Sequence, residues 1–308
     1  MSPAPLPVRD RLGGGGRATG VARPEPTIGL GPARLRLRGG LVLAELEARF
    51  GAVVSTKVVA GQVVTADGGV VDETTVLPAG ACGYLYRDLP DEVPVPFDIP
   101  VLYRADDIVV VDKPHFLATM PRGRHVAQTA LVRLRRELDL AELSPVHRLD
   151  RVTTGVLLFT ARRELRGAYQ TLFARGAVRK TYLARAAVTP ALDLPRVVRS
   201  RIIKRRGQLQ AIEESGEANA ETLIELMSMD GLYRLTPRTG RTHQLRVHMA
   251  SLGIPIHGDP LYPRIVDVAP DDFSTPLQLL AYSLEFDDPV SGSRRRFVSR
   301  RTIIGAVM

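Results

Sequence analysis

Residues 147–155 read HRLDRVTTG, which sets one carboxylate, Asp150, among His147, Arg148 and Arg151. The run lies between an apolar turn, Leu143 to Val146, and an apolar stretch, Val156 to Thr160. Nearby positive charge favours the ionised form of a carboxylate, so Asp150 reads as a standing nucleophile or base. A surface loop whose charges pair with one another has the same composition, and such pairs contribute little to stability. On these residues alone two roles stay open: Asp150 orients the arginines, or it does chemistry on a ligand.

Other chemistries lack their residues. His243 and His248 are five apart with no carboxylate between them, and His147 and His257 are lone, so the sequence offers no metal-ligand spacing. There is no GxSxG elbow for a serine hydrolase and no glycine-rich turn after a first strand for a dinucleotide. Gly13 to Gly16 are neither preceded by a strand pattern nor followed by GK[ST], which excludes a phosphate loop. A single cysteine, Cys82, allows no intrachain disulfide and no thiolate cluster. With 42 Lys and Arg against 33 Asp and Glu, the chain carries a formal charge of +9, which favours a polyanionic partner, most simply nucleic acid. No apolar run is long enough to span a membrane, and the N-terminus lacks the apolar core of a signal peptide, so a cytoplasmic, monomeric protein is expected.

The elements that must hold Asp150 follow from periodicity. Residues 1–33, rich in Pro, Gly and Arg, are expected as a flexible basic tail. Residues 34–90 read as a small α+β module with a helix over Leu41 to Gly51 followed by short alternating runs, and residues 91–100, rich in Pro, as a linker. From residue 101 to 308 strand and helix patterns alternate. IVVVDKP and GVLLFTA are short buried strands, AQTALVRLRREL is a helix with a basic face, and RRELRGAYQTLFARG carries apolar residues at i, i+3, i+4, i+7 and i+8. VRKTYLARAAV alternates so that Lys180, Tyr182 and Ala184 share a strand face. AETLIELMS and YRLTP read as strands, RTHQLRVHMASLG as a helix and LQLLAYSLEF as a last strand. The charge run RSRIIKRR, Arg199 to Arg206, falls between strands and reads either as a solvated loop or as an insertion in which Arg201, Lys204, Arg205 and Arg206 grip phosphates.

Three motifs in order make the sequence specific. HRLDRVTTGVLLF, KTYLA (Lys180 to Ala184) and GRTHQLRVHMASLGIPIHGDPLY (Gly240 to Tyr262) resemble those of the RluA-type family of pseudouridine synthases, and the DKP strand end (Asp112 to Pro114) resembles the start of that catalytic domain. The resemblance covers about residues 100 to 300, and it departs from the usual motif only in the triplet Thr153-Thr154-Gly155. Residues 34–90 resemble a small S4-type RNA-binding module but lack its basic helix pair.

The resemblance implies an α+β fold with a mixed, largely antiparallel central sheet, flanking helices and a central cleft. It implies isomerisation of uridines in ribosomal or transfer RNA to pseudouridine, with no cofactor and no metal. Asp150 is then the essential carboxylate, attacking the sugar or abstracting a ribose proton. Arg246 is its ion-pair partner, Tyr182 lies on the uracil face, and Arg148 enters the space vacated by a flipped nucleotide. His147, Arg151, Arg241, His243 and Gln244 are implied RNA-binding residues. The alternative is a catalytically inactive RNA-binding or ribosome-assembly protein on the same fold, which an assay of tritium release from labelled RNA separates from an enzyme.

Overall fold

The computed structural model describes residues 30–86 and 91–303, so the expected flexible tail lies almost wholly outside the described residues. The described residues fall into two compact units, residues 31–86 and residues 91–303.

In the smaller unit β1 (Ala33–Arg36) is followed by β2 (Gly40–Leu41), α1 (Val42–Phe50), α2 (Val53–Val59), β3 (Val63–Thr65), β4 (Val76–Leu77) and β5 (Cys82–Leu85). β1, β5 and β3 form an antiparallel sheet, and Val42, Leu46, Val54 and Val58 bury against it. Helix α2 forms from VVSTKVV, although its β-branched residues favour strands. Its Val54 and Val58 are both buried at an i, i+4 spacing, so tertiary packing overrides propensity. The two helices carry Glu45 and Glu47 against Arg49 and Lys57, so the pair is present but not basic.

The larger unit runs β6 (Val101–Arg104), β7 (Ile108–Lys113), α3 (Ala130–Glu137), β8 (Ser144–Pro145), β9 (Thr154–Thr160), α4 (Arg166–Ala174), β10 (Arg179–Arg185), β11 (Arg196–Ile203), β12 (Ile212–Glu214), β13 (Ala220–Ser228), β14 (Leu232–Pro237), α5 (Gln244–Ser251), β15 (Leu279–Asp287) and β16 (Arg294–Val298). Its strands form one sheet in the order β12-β11-β13-β14-β10-β15-β9-β7-β6, with β16 beside β15 and β8 beside β9. Among the pairings between the strands named here only β15 with β9 is parallel. The expected α+β class with a mixed, largely antiparallel sheet is what the molecule has.

Strands β7 and β9 are buried on both faces, which is why they read as unbroken apolar runs. Val109, Val111, Leu157 and Phe159 pack with Leu131 and Leu134 of α3, while Ile108, Val110, Val156 and Leu158 pack with Tyr169 of α4. β14, by contrast, alternates buried and half-buried residues, with Tyr233 and Leu235 facing Leu245 and Met249 of α5. Where these two parts of the sheet meet, β9 comes unusually close to β15. Gly155 there has φ +114°, and a Cβ would lie 2.3 Å from Ala281 O. It therefore serves a close approach inside a strand.

Two expectations are corrected. Residues 91–100 are not a free linker: the Glu92 carboxylate accepts from the N–H groups of Val126, Ala127 and Gln128, Phe97 packs on Phe116 and Phe273, and Ile99 is buried. Most of the run Arg199 to Arg206 is strand, because β11 pairs with β13 on one side and β12 on the other. α3 also begins three residues later than its pattern, at the point where Thr129 Oγ1 accepts from Val132 N. No helix among the described residues is long and apolar enough to cross a membrane.

Candidate active site

The loop carrying Asp150 is moulded by the turn that follows β7. Thr119, itself buried, both donates to Leu149 O (2.8 Å) and accepts from Leu149 N (3.0 Å). The fully buried Lys113 ammonium donates to Pro114 O and Leu117 O at 2.8 Å and to Arg151 O at 3.3 Å. His115 Nδ1–H donates to Val152 O (3.1 Å) and Thr154 Oγ1 to Lys113 O (2.6 Å). The residues on either side of Asp150 are thus fixed by hydrogen bonds, and its own side chain remains about one-fifth exposed. Burial pushes the Lys113 ammonium down to about 7, an effect the charge of Asp150 opposes.

Helix α5 supplies the opposite wall. Arg246, about 2% exposed, reaches Asp150 Oδ2 with Nη1 at 3.6 Å, but its bidentate partner is Asp259: Nε to Oδ2 at 2.8 Å and Nη2 to Oδ1 at 2.6 Å. Asp259 Oδ1 also accepts from Leu261 N and Tyr262 N. A buried guanidinium needs such pairing, and here the fork leaves one nitrogen aimed at Asp150. His243 Nε2 lies 3.9 Å from Asp150 Oδ2. Tyr182 comes from β10 with Lys180 on the same strand face, and burial, then the charge of Asp150, pushes its phenol up, so it stays protonated at neutral pH.

Asp150, Arg148, Tyr182, Arg241, His243, Gln244 and Arg246 line one cavity of about 130 Å³, with Lys180, Thr153 and Leu279 completing its walls. A groove of about 630 Å³ opens beside it, sharing Arg148, Lys180, Tyr182 and Arg241 and adding Arg175 and Arg238. Its lining holds five cations and no carboxylate. Arg148 and Arg175 are exposed, and their side chains make no hydrogen bond or ion pair seen among the described residues. Among those residues no group of His, Cys, Asp and Glu is placed to hold a metal ion.

Several expected ligand contacts are spent inside the protein. Gln244 is buried, with its carbonyl accepting from Thr239 Oγ1 and Arg241 N and its amide donating to Glu221 O and Thr222 Oγ1. His147 accepts Leu158 N–H at Nε2 (3.2 Å) and stacks on Phe173; burial, then Lys180, pushes it down to about 3. Arg151 turns away from the cavity to Phe116 O and the Phe116 ring. In the hairpin, Arg205 pairs with Glu214 and Lys204 donates to Gln208 O, while Arg201 lies against Gly216. None of Arg201, Lys204, Arg205 and Arg206 lines the cavity or the groove, although the charges of Lys204 and Asp150 act on one another. Lys180, Arg175, Arg238 and Asp259 were missed; Asp259 stood in the quoted GDPLY, but only the fold brings it to Arg246.

A family model described as RNA pseudouridylate synthase matches residues 107–251. The chain is 33% identical to the dual-specificity RNA pseudouridine synthase RluA of Salmonella typhi, over 64% of this chain and 90% of that one. It is 34% identical to the pseudouridylate synthase RPUSD2 of Homo sapiens over 53% of this chain, and spans about a third (31%) of that relative's length. It is 35% identical to the mitochondrial tRNA pseudouridine(32) synthase of Saccharomyces cerevisiae, covering 53% of this chain and 37% of that one. The solved structure of human RNA pseudouridylate synthase domain containing 4 aligns with a TM-score of 0.51 at 26% identity, over 65% of this chain and 88% of the other.

Proposed function

The chain belongs to the RluA-type family of RNA pseudouridine synthases, and from that premise we propose that it isomerises uridines in ribosomal or transfer RNA to pseudouridine, with Asp150 as the reacting carboxylate. The observation that carries the reading is the convergence of Asp150, Arg246 and Tyr182, from three distant stretches of sequence, on one cavity that opens into a cationic groove.

The reaction breaks the N1 glycosidic bond, turns the uracil and rejoins it to the ribose through C5. Asp150 acts on the sugar, either by attack or by removing a ribose proton. Arg246, anchored by Asp259, holds a fixed positive charge against it, so no reorganisation is needed as charge develops. Tyr182 presents a ring to the detached base, and stacking retains it through the turn. A uridine within a helix reaches this cavity only by flipping out, at a cost of a few kcal/mol. Arg148, exposed at the mouth, is free to enter the gap with a planar guanidinium. The groove receives the neighbouring backbone, its cations facing the phosphates.

Ribosomal and transfer RNA from a strain lacking the gene, labelled with tritium at C5 of uridine, tests the proposal. The full chain is expected to release tritium and to leave pseudouridine at defined positions. No release from either RNA would overturn it.

A further inference from the structure

The route taken by Asp150 leaves one proton unassigned. Once C5 is joined to C1′, C5 carries both hydrogen and sugar. The C5–H bond must break, its electron pair restoring the C5–C6 double bond, while N1, now free of the sugar, gains a proton. One proton lost and one gained keep the reaction an isomerisation, but a base must receive the first.

The hydrogen bonds around Tyr262 fix the tautomer of His243. Tyr262 Oη lies 2.8 Å from Ala211 O, 2.7 Å from Ala211 N and 3.0 Å from His243 Nδ1. A carbonyl oxygen brings no proton, so the single hydroxyl proton of Tyr262 belongs in its contact with Ala211 O. Ala211 N–H supplies the second contact. The third must therefore take its proton from the imidazole, which makes Nδ1 the protonated nitrogen and leaves the lone pair on Nε2.

That lone pair is in the cavity. Nε2 is 3.9 Å from Asp150 Oδ2, and no hydrogen-bond donor to it is recorded among the described residues. His243 also sits at φ +59°, a left-handed conformation uncommon for a residue with a Cβ, immediately before α5. The Tyr262 bond and the start of the helix hold the ring in this attitude. Burial, opposed by Asp150 and reinforced by Arg246 and Lys204, pushes the imidazole down to about 4, so it is neutral near pH 7. Two other candidates are engaged: the Tyr182 phenol is protonated and Lys180 donates to Thr239 O.

We propose, on the reading of the site given above, that His243 Nε2 takes the C5 proton. The C5–H electron pair returns to the ring, and the imidazolium forms beside Asp150 just as that carboxylate is released from its work on the sugar. The same nitrogen then returns a proton to N1 or to water. His243 thereby acts after Asp150 and at a different atom of the substrate.

The test uses ribosomal and transfer RNA from the strain lacking the gene, grown once on ordinary uracil and once on uracil deuterated at C5. Asparagine tolerates the left-handed backbone but offers no basic nitrogen, so His243→Asn is the informative variant. Under single turnover with saturating enzyme it is expected to form pseudouridine about 10²-fold more slowly or worse, with RNA affinity retained. Its rate should also become slower on the deuterated RNA than on the ordinary one. Conversion near the parental rate would overturn the proposal. Slowing that is equal for both isotopes would also overturn it, and would make His243 a positioning residue for Asp150. Should the variant fail to fold, the ¹⁵N spectrum of the parental ring decides: a protonated Nδ1 is expected, and a protonated Nε2 would contradict the assignment. A parental enzyme that converts neither RNA would instead defeat the underlying reading of the site.

Discussion

The cavity around Asp150 and the groove beside it share Arg148, Lys180, Tyr182, Thr239, Gly240 and Arg241, yet they treat their charges in opposite ways. Inside the cavity Arg246 is gripped through two of its nitrogens by Asp259, and Gln244 spends its whole amide on the protein. Along the groove Arg148 and Arg175 stand exposed without a carboxylate in the lining. Chemistry at a sugar carbon needs groups fixed before substrate arrives. Holding a polyanion needs cations that are still free to release their counterions. The hairpin from β11 to β12 is as basic in sequence as the groove, but Arg205 there already has Glu214 and Arg199 has Glu221.

The largest effect expected from this contrast lies in the fixed half. Asp259→Asn leaves the buried Arg246 charge without its partner, which should destabilise the protein by about 3–5 kcal/mol. Turnover should fall with it, because the nitrogen facing Asp150 loses its aim. Denaturant unfolding together with single-turnover rates checks this, and parental stability with parental rate would break the contrast.

Acid should act next, through buried histidines around both regions. Burial lowers the folded pKa of His115 and His243 to about 4 and of His147 to about 3, below the usual value near 6.5. Between those values the unfolded chain binds more protons than the folded one, so stability falls as pH drops from about 6.5 towards 4 and is unaffected by these rings above 6.5. Each ring contributes at most about 1.4 kcal/mol per pH unit. Thermal melts across that range should show the loss, and a melting temperature flat from pH 6.5 to 4 would contradict the burial.

The free half predicts smaller, salt-dependent effects. Replacing Arg175 by Gln should lower the slope of log affinity against log salt by about 0.7, the value for one phosphate contact on a single strand, with single-turnover rates unchanged. An unaltered slope would remove the groove from the RNA path. Smallest of all, Arg205→Gln in the hairpin should change the slope by well under about 0.7, because its cation is already neutralised. A full unit of change there would show that RNA displaces Glu214.

How far this contrast could be seen in the sequence depends on what fixes each residue. HRLD, KTYLA and GRTHQLR carry Asp150, Tyr182 and Arg246, and the fold brings the three around one cavity. Proximity in a motif does not say which way a side chain points. His147, Arg151 and Gln244 flank these residues yet bond to the protein's own backbone, because the loop is clamped to residues 113–119 and α5 is buried on nearly every side. Asp259 depends on a chain reversal after α5 that carries no periodic signal. Arg175 lies just past the end of α4 and Arg238 just past β14, so only the fold places them in one groove. The strand β11 was hidden by its charges, which face solvent or, at Arg199, pair with Glu221 of β13, while Ile202 alone in the strand is fully buried.

On the proposed reading Asp150 acts on the sugar while the groove holds the RNA. Asp150→Asn preserves shape and removes the charge, so the decisive measurement is tritium release and RNA binding by that variant on the same labelled RNA. No detectable release with affinity close to the parental value is the predicted result. Release at anything near the parental rate would contradict it.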